Sequence, residues 1–351
     1  MPYKQLTFPL KSVPLNPICE DGLLRNLITD VAGLRVGQAE DFNLGSGTTV
    51  VIFDEPVVAS VDVRGGGPGT RETELLNPAQ TVPGVDAIVV SGGSAFGLDA
   101  ASGVQAWLRE QGRGFAIGPA RVPIVPGVVL FDLLSGGNKN WGRFPSYREF
   151  GYAAAANATL DFALGSFGAG TGATTVNYKG GLGSASAQTP DGVTVGALAA
   201  VNAVGSVVIG SGPWFWAAPF EVNSEFGGRG LPEQFSPQML QPVIKGVPGA
   251  NTTLVVVATD AILTKAQANR LAVMGQSGMS RAIYPVHSPL DGDTLFAAAT
   301  GRRPLAEPVF ALAQLGTLAA NVVARAIARG VFVARALPED PLPSWHDKFG
   351  H

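Results

Sequence analysis

The stretch Asn-Thr-Thr-Leu-Val-Val-Val-Ala, residues 251–258, places a loop directly before a short apolar run. A glycine and an alanine come before Asn251 and lengthen that loop. A run of apolar, mostly β-branched residues after turn residues is typical of a strand that is buried on both faces. The pattern predicts a strand that begins at Thr252, with a hydroxyl side chain at its first position.

Thr252 would gain unusual chemistry if its peptide bond to Asn251 were broken. The new amino terminus would carry a hydroxyl and an α-amine on one residue, and an α-amine has a pKa of about 7.7–8.0. It can therefore accept the hydroxyl proton near neutral pH, which is how an N-terminal threonine becomes a nucleophile. The sequence predicts a self-cleaving amide hydrolase with Thr252 as its nucleophile.

The same residues have two simpler interpretations. Asn-Thr pairs also occur at ordinary turns and strand entries, because asparagine and threonine side chains favour turns. Residues 251–253 and 157–159 match the acceptor pattern for N-glycosylation as well. Glycosylation needs secretion, and the first residues, Met-Pro-Tyr-Lys-Gln, do not lead into the apolar segment of a signal peptide. We therefore expect a cytoplasmic location, and other parts of the chain must decide between turn and nucleophile.

The composition is that of a chain with a large core. Of 351 residues, 46% are hydrophobic and 15% are charged, which fits a single α/β domain over residues 1–351. The mean hydropathy of +0.23 is high and favours a homo-oligomer that buries further surface. The net charge is −3 and no basic block occurs, so we expect no nucleic-acid partner.

Neither a membrane span nor a disulfide framework is predicted. The most membrane-like run, residues 196–210, is interrupted by Asn202 and Ser206 and is shorter than the roughly 20 residues that a spanning helix needs. A pair of buried strands fits it better. Cys19 is the only cysteine, which excludes an intrachain disulfide.

The predicted elements alternate between strands and helices. The 46 glycines cluster beside apolar runs, which indicates turns where backbones pack closely. Strands are predicted over residues 48–53, 57–63, 87–90, 193–200, 206–209, 252–258 and 294–298. Helices are predicted over 95–111, 152–164, 264–283 with Thr264 as its N-cap, and 308–329, and the proline-rich tail 337–351 is expected on the surface. This alternation implies layered α/β structure, compatible with a four-layer αββα sandwich or a doubly wound sheet.

The sequence gives little support for a metal site or a phosphate-binding site. The three histidines, at 287, 346 and 351, show no chelating spacing, and there is no cysteine cluster. The glycine run at residues 65–69 lacks the Lys-Ser/Thr of a phosphate loop, and no dinucleotide-binding glycine motif opens a helix. We expect no metal and no cofactor.

A serine triad is the main competing chemistry. Residues 92–97, Gly-Gly-Ser-Ala-Phe-Gly, follow a predicted strand and precede a helix, as a nucleophile elbow does, with Ser94 as the nucleophile. The elbow needs glycine two positions after the serine, because strand and helix crowd there, and Phe96 occupies that position. His287 would be the only candidate base. Thr252 is therefore the preferred nucleophile.

Four motifs, taken together and in order, resemble the DmpA-type aminopeptidase family. They are Gly-Gly-Gly-Pro-Gly at 65–69, Ser-Gly-Gly-Ser-Ala-Phe-Gly-Leu at 91–98, Asn-Thr-Thr at 251–253 and Asp-Gly-Asp-Thr at 291–294. The family includes β-peptidyl aminopeptidases and nylon-oligomer (6-aminohexanoate-oligomer) hydrolases. The resemblance extends from about residue 28 to residue 330. It implies an αββα sandwich that cleaves itself into an α chain, residues 1–251, and a β chain, residues 252–351, which stay together.

The resemblance also implies a role for each matching position. Thr252 matches the family's nucleophile, and Asn251 matches the residue before the scissile bond. Lys179 matches a lysine at the active site, where it would lower the pKa of the Thr252 amine. Asn202 matches an asparagine that helps to hold the oxyanion; from the residues alone, it is equally a satisfied core amide.

Asp291 and Asp293 match an acidic pair of the nylon-oligomer hydrolases. In that role, Asp293 would bond the Thr252 amine, while Asp291 would orient Asp293 or Lys179. From the residues alone, Asp-Gly-Asp is an acidic turn whose two carboxylates point to opposite sides.

The residues expected to line the substrate pocket are Gly93, Ser94, Phe131 and Asp132. Phe131 falls where nylon-oligomer hydrolases carry a tyrosine, and it cannot donate a hydrogen bond, which argues against nylon-oligomer activity. The free amine of an aminopeptidase substrate needs an anion. Asp132, Asp291 and Asp293 all remain candidates for that anion.

The preferred function is therefore an aminopeptidase that releases N-terminal residues from small peptides or amides through an acyl-Thr252 intermediate. A second candidate is endo-type hydrolysis of linear ω-amide (nylon) oligomers. A candidate of another class is a binding protein that cleaves itself only to mature, or never cleaves.

Overall fold

The computed structural model describes residues 24–246 and 251–350; Cys19, the first residues and His351 lie outside them. The strands are β1 (Leu34–Asp41), β2 (Ser46–Val63), β3 (Gly69–Arg71), β4 (Val85–Ser91), β5 (Phe115–Ile117), β6 (Ala120–Val122), β7 (Gly127–Val129), β8 (Gly181–Gln188), β9 (Thr194–Asn202), β10 (Thr252–Ala261) and β11 (Thr294–Arg303). The α-helices are α1 (Ala100–Glu110), α2 (Tyr147–Ala156), α3 (Lys265–Ala282), α4 (Pro308–Val333) and α5 (Trp345–Phe349).

Strand β2 joins the two halves of the sheet. Its first part pairs antiparallel with β1 and β4, and its last part pairs antiparallel with β11. The strand order is β3-β7-β4-β2-β11-β10-β9-β8, with β1 also paired to β2. The separate strands predicted over 48–53 and 57–63 are therefore one strand of 18 residues. A register irregularity between Ile52 and Val57 marks the point where it passes from one half to the other.

Alternating side chains build four layers. In β10, Leu254 and Val256 face a core between the two halves of the sheet, whereas Val255 and Val257 face α3 and α4. In the other half, Val50 of β2 packs in a third core against α1 and α2. Three buried clusters thus separate helices, sheet, sheet and helices. The predicted αββα sandwich is confirmed, and the doubly wound alternative is wrong.

The first residues of α3 and α1 show what determines where each helix begins. The hydroxyl of Thr264 accepts the backbone N–H of Gln267, and the Gln267 side chain accepts the backbone N–H of Thr264 in return. The predicted N-cap of α3 is confirmed. The helix predicted over 95–111 begins later, at Ala100, because a 3₁₀ segment occupies Ser94–Asp99.

Two other predicted elements differ in the structure: one helix begins and ends earlier than predicted, at Tyr147 and Ala156, and one strand is not continuous. The helix expected over 152–164 is α2, which ends earlier because Thr159 leaves it to exchange two backbone hydrogen bonds of 3.0 Å with Val36 of β1.

The strand expected over 206–209 is reduced to two isolated β-bridges, of Ser206 with Tyr284 and of Val208 with Phe215. The Ser206 hydroxyl hydrogen-bonds the carbonyl oxygen of Val208 at 2.7 Å, and the chain bends between the two residues.

The proline-rich tail, residues 337–351, was expected on the surface; over 337–350 most of its residues are exposed or partly exposed, as predicted, but a few side chains are anchored inside the fold. Trp345 is only 2% exposed, and its ring packs against Phe215 and Phe332. The side chain of Asp340 is also buried, beside Lys179. The tail is held because its aromatic and acidic side chains find partners inside the fold.

Helix α4 is the most apolar helix of the described residues. By length and composition it is the one described helix that could cross a membrane, and 61% of its most apolar window is buried inside the protein. It packs on β8, β9 and α3. The run that looked most membrane-like in the sequence, 196–210, instead contains the end of β9.

Strand β8 and helix α4 approach each other through glycines. A Cβ atom on Gly183 would lie 1.9 Å from the carbonyl oxygen of Ala326 and 2.5 Å from the nitrogen of Gly330. Both are backbone atoms, so Gly183→Ala is expected to lower the free energy of unfolding by about 1–3 kcal/mol, measured by chemical denaturation. In the control Gly127→Ala, a buried glycine gains a Cβ with no neighbour closer than 3.6 Å. Equal losses in the two variants would contradict this close packing.

Candidate active site

Thr252 and Asn202 lie side by side at one edge of the sheet. The antiparallel register of β10 and β9 places them directly opposite each other. They share the alternation of Leu254 and Ala200, whose side chains face the core between the two halves of the sheet. Opposed residues in such a pair have Cα atoms about 4.5–5.5 Å apart. The candidate nucleophile and the candidate oxyanion residue are therefore neighbours.

The acidic turn before β11 lies beside the candidate scissile bond. Strands β10 and β11 run parallel, and Asn251 forms a further bridge with Asp291 just ahead of them. The N–H of Gly292 donates to the carbonyl oxygen of Asn251 at 2.9 Å. The hydroxyl of Thr252 donates to the same oxygen. The carbonyl that self-cleavage would attack thus carries two hydrogen-bond donors.

Asp293 fixes the residue after Thr252. Its Oδ1 accepts the N–H of Thr253 at 2.7 Å, whereas the sequence placed it on the Thr252 amine. Its Oδ2 accepts the backbone N–H of His287 at 3.1 Å and lies 3.0 Å from the ring Nδ1. His287, the candidate base for Ser94, is therefore the partner of Asp293.

Asp291 has an incomplete set of partners. Its Oδ2 accepts the N–H and the hydroxyl of Ser288, each at 3.1 Å. Its Oδ1 is buried and makes no hydrogen bond of normal geometry in the described parts of the chain, although the backbone N–H of Val204 lies near enough to this carboxyl to lower its pKa. Burial, together with the negative charge of Asp293, raises the pKa of Asp291 to about 6. The uncut chain therefore carries, beside Asn251, a buried carboxyl oxygen without a well-formed hydrogen bond.

The glycine-rich loop that begins at Gly65 packs against this turn. A Cβ atom on Gly65 would lie 2.3 Å from the nitrogen of Asp293 and 2.6 Å from the carbonyl oxygen of Asp291. A Cβ atom on Gly292 would lie 2.7 Å from the Thr252 hydroxyl. These glycines allow backbone to approach the acidic turn closely, which is the structural basis of the motif.

Lys179 is fully buried and forms an ion pair that the sequence did not predict. Its Nζ donates to Oδ2 of Asp340 at 2.9 Å and to the carbonyl oxygen of Thr171 at 2.5 Å. Burial lowers the pKa of Lys179, and the charge of Asp340 opposes that shift. Within residues 24–246 and 251–350, no hydrogen bond joins Lys179 to Asp291 or Thr252. The expectation that Asp291 orients this lysine is wrong; Asp340 of the tail does so.

Asn202 links the nucleophile strand to the neighbouring loops. Its Oδ1 accepts the N–H of Thr174 at 3.0 Å, and its Nδ2 donates to the carbonyl oxygen of Phe131 at 3.0 Å. The backbone of Phe131, rather than its ring, is thus what the structure joins to the candidate oxyanion residue.

The buried carboxyl of Asp132 holds the turn that contains Gly93. The Asp132 side chain is fully buried; its Oδ1 accepts the N–H of Gly93 at 2.8 Å and its Oδ2 accepts the hydroxyl of Ser46 at 2.6 Å. Burial raises the pKa of this carboxyl. Tyr147 donates to the same serine hydroxyl at 3.1 Å. The carboxyl of Asp132 therefore supports the turn that carries Ser94.

Ser94 has one property of a nucleophile elbow and lacks another. Its φ of +52° lies in the left-handed region, as at a sharp strand-to-helix turn, and its N–H donates to the carbonyl oxygen of Leu130. Among the described residues, however, no hydrogen bond joins Ser94 to His287, which bonds Asp293 instead. The parts of a serine triad are not assembled here.

Lys245 is a site residue that sequence reasoning missed. Its Nζ donates to the hydroxyl and carbonyl oxygens of Thr174, at 2.7 and 3.2 Å, and to Oδ1 of Asn202 at 3.3 Å. Burial lowers the pKa of Lys245 to about 8, and the negative charge of Asp291 opposes the shift. No local pattern marks it, since it is a single lysine in an irregular segment before Asn251.

The hydrogen-bond donors and acceptors described at this site are all protein side chains or backbone groups. In the parts of the chain that the structure describes, no three histidine, cysteine or acidic side chains group to hold a metal ion. The expectation that no cofactor is needed stays a prediction.

Comparison with known proteins decides the family. The profile of peptidase family S58 matches residues 26–340. The chain belongs to peptidase family S58. An uncharacterized aminopeptidase of Mycobacterium tuberculosis is 44% identical over 345 residues, which cover 92% of this chain and 98% of that protein. The resemblance noted from the motifs and the predicted class, a hydrolase of amide bonds, are confirmed.

More distant relatives agree with the fold. A 6-aminohexanoate-oligomer endohydrolase of Kocuria is 29% identical over 307 residues, covering 84% of this chain and 80% of that protein. The solved L-aminopeptidase D-Ala-esterase/amidase of Ochrobactrum anthropi, a variant of the Ntn hydrolase fold, superposes with a TM-score of 0.67 at 19% identity, over 96% of this chain and 97% of that one. The four-layer architecture is thus similar to the Ntn hydrolase fold of that structure.

The raised pKa of Asp291 predicts a pH-dependent cost in stability. Its folded pKa of about 6 exceeds the ordinary 3.8, so the folded protein loses stability as the pH rises from about 4 to 6. In an uncut Thr252→Ala background, Asp291→Asn is expected to raise the free energy of unfolding at pH 7 by up to about 3 kcal/mol. The gain should vanish near pH 4. Denaturant unfolding across this range measures it.

Asp293→Asn is the matched control, because both oxygens of Asp293 have donors. This variant should lose stability at pH 7 rather than gain it. A gain from Asp291→Asn that is the same at pH 4 and pH 7 would contradict the raised pKa.

Proposed function

We propose that this chain matures by breaking the bond between Asn251 and Thr252, and then acts as an aminopeptidase on small peptides or amides. The observation that carries the proposal is the Asn251 carbonyl oxygen, which accepts both the Thr252 hydroxyl and the N–H of Gly292. The Thr252 hydroxyl already contacts the carbonyl group whose carbon it would attack, and a fixed donor points at the oxygen where negative charge would develop.

Self-cleavage needs only groups of this chain and one water molecule. Oγ1 of Thr252 bonds to the carbonyl carbon of Asn251, and the hydroxyl proton passes to the leaving nitrogen. The C–N bond breaks and leaves an ester on the threonine side chain. Water then hydrolyses the ester, giving a carboxylate on Asn251 and a free amine on Thr252. The N–H of Gly292 would stabilise the oxyanion, and such a donor is typically worth about 10²–10³ in rate.

The surroundings suit the amine that cleavage would create. Oδ1 of Asp291 is buried beside the scissile bond without a hydrogen bond of normal geometry from the described residues, and a Thr252 ammonium would supply one. Asp293 continues to hold Thr253, so the new terminus keeps its direction. The neutral form of this amine, rather than the ammonium, takes the hydroxyl proton of Thr252 when substrate arrives.

Turnover of substrate would repeat the first reaction on a new carbonyl. Oγ1 of Thr252 bonds to the amide carbon, the C–N bond breaks, and the rest of the substrate leaves as an amine that takes the hydroxyl proton. Water then hydrolyses the ester and releases the N-terminal residue. Asn202, opposite Thr252, supplies its side-chain amide to the oxyanion. Lys179 acts through its charge and through the carbonyl oxygen of Thr171 that it binds, since no hydrogen bond between the described residues joins it to Thr252.

An aminopeptidase fits better than a nylon-oligomer hydrolase. The relatives at 44% identity are named aminopeptidases, whereas a named oligomer hydrolase is 29% identical. Phe131 replaces the tyrosine expected in the oligomer hydrolases. Endo-type hydrolysis of ω-amide oligomers remains the second candidate on the strength of that relationship and of the acidic pair Asp291 and Asp293.

We also propose a cytoplasmic homo-oligomer of αβ units. The high mean hydropathy supports further buried surface. Exposed apolar side chains, such as Phe144 at 79% and Val309 at 88% exposure, support it as well.

Thr252→Ala is expected to lower the hydrolysis of aminoacyl p-nitroanilides by about 10³-fold or more, because it removes the attacking oxygen. Thr253→Val is the matched control. It removes a neighbouring buried hydroxyl that has no partner among the described residues, so activity should be kept. Ser94→Ala should likewise retain activity. Turnover that survives Thr252→Ala but not Ser94→Ala would reverse the assignment of the nucleophile.

Substrate class is tested with the unmodified enzyme on two panels, aminoacyl amides and linear 6-aminohexanoate oligomers. We expect faster turnover of the amides, with release of the first residue. Internal cleavage of the oligomers without amide turnover would favour the second candidate. A cleaved protein that hydrolyses neither panel would favour the binding protein.

A further inference from the structure

Three oxygen atoms surround the ammonium of Lys245. The hydroxyl oxygen of Thr174 lies 2.7 Å from Nζ, the carbonyl oxygen of Thr174 lies at 3.2 Å, and Oδ1 of Asn202 lies at 3.3 Å. A primary ammonium has three N–H donors and no acceptor, so three oxygens on one side are its natural complement. We call these three oxygens the ammonium cradle.

The cradle belongs to the candidate active site. Asn202 contributes one of its oxygens and is the cross-strand partner of Thr252. The negative charge of Asp291 also acts on the Lys245 ammonium and favours its charged form. Asp291 is therefore close enough to stabilise any cation in the cradle, which distinguishes it from Asp132, whose oxygens hold Gly93 and Ser46.

Lys245 reaches the cradle from the segment that leads to the scissile bond. Its backbone N–H donates to the carbonyl oxygen of Val204 at 2.9 Å. Cleavage after Asn251 would turn this segment into a chain end, which is far less constrained than a loop closed at both ends. Lys245, which occupies the cradle, therefore belongs to the segment that cleavage would free at one end.

We propose that the ammonium cradle is the binding site for the free amino group of the substrate, and that Lys245 occupies it in the uncut chain as an internal substitute. The proposal rests on the proposed function and names the group that the aminopeptidase recognises. A substrate with a primary ammonium a few bonds from its amide carbonyl would replace Lys245 after cleavage. An N-acylated substrate has no such ammonium and would be rejected.

Two physical arguments support the exchange. Burial makes the charged form of Lys245 costly, as its lowered pKa of about 8 indicates; a substrate ammonium would bear a similar cost in the cradle, so exchanging one for the other changes this cost little. The carboxamide of Asn202 carries its oxygen and its nitrogen on one carbon. An aminoacyl group carries its ammonium and its carbonyl oxygen almost as close together. One asparagine can therefore serve the ammonium with Oδ1 and the oxyanion with Nδ2.

The test measures binding and needs no turnover. Thr252→Ala keeps the chain uncut. Lys245→Met is added because methionine is similar in length but has no ammonium, so the three cradle oxygens lose that donor. The probe is alaninol, a small primary ammonium that cannot be hydrolysed, and its neutral counterpart is 2-methyl-1-propanol. Ligand-observed NMR gives the Kd of each. We expect the double variant to bind alaninol at least about tenfold more tightly than Thr252→Ala alone, without a gain for the neutral alcohol.

Two further variants make the test specific. Thr174→Val, added to the double variant, removes one cradle oxygen with little change of shape and should weaken alaninol binding again by about tenfold. Lys139→Met replaces another partly buried lysine, which donates to the carbonyl oxygens of Leu44 and Gly45, and should leave alaninol binding as it is in Thr252→Ala.

Three results would overturn the proposal: no gain from Lys245→Met, an equal gain for the neutral alcohol, or a gain from Lys139→Met instead. None of these depends on amide hydrolysis. An enzyme that fails to hydrolyse amides would refute the proposed function while leaving this binding result readable.

Discussion

The parallel pairing of β10 with β11 is the constraint on which the candidate site depends. Because the two strands run in the same direction, the residues just before each of them meet at one edge of the sheet. The turn that holds Asp291 and Asp293 therefore lies against the bond between Asn251 and Thr252. Strand β9 runs antiparallel on the other side, so its last residue, Asn202, ends at the same edge. The ends of these three strands therefore bring the nucleophile Thr252, the two aspartates and the amide of Asn202 together.

The uncut chain keeps buried polar groups that are incompletely matched. Asp291 has a carboxyl oxygen that makes no hydrogen bond of normal geometry with the described residues, and its pKa is raised. Lys245 has an ammonium with three neutral acceptors and a lowered pKa. In a low-dielectric interior both arrangements are costly. Cleavage would supply an amine to the first and release the segment that carries the second. The groups whose burial is costly in the uncut chain would then have a role in the mature enzyme: Asp291 would bond the Thr252 amine, and the oxygens around Lys245 would bind the amino group of the substrate.

Much of the architecture could be predicted from local patterns. Strand β10, the alternation that makes it face two cores, and the N-cap at Thr264 all follow from neighbouring residues. The acidic turn and Asn202 could be placed near Thr252 only through the family resemblance. The pairs Lys179 with Asp340 and Asp293 with His287, and the position of Lys245, could not be predicted. They depend on where irregular segments pack, and irregular segments have no hydrophobic period from which a position can be derived.

The intact mass of the purified chain under denaturing conditions, with N-terminal sequencing of any small fragment, tests the central claim most directly. Cleavage after Asn251 divides 36.1 kDa into pieces of about 26 and about 10 kDa, in proportion to the residues on each side. The account predicts both pieces, with the smaller one beginning Thr-Thr-Leu-Val-Val, and a whole chain for Thr252→Ala. A parent protein that stays whole after long incubation would contradict it and leave Thr252 an ordinary strand residue.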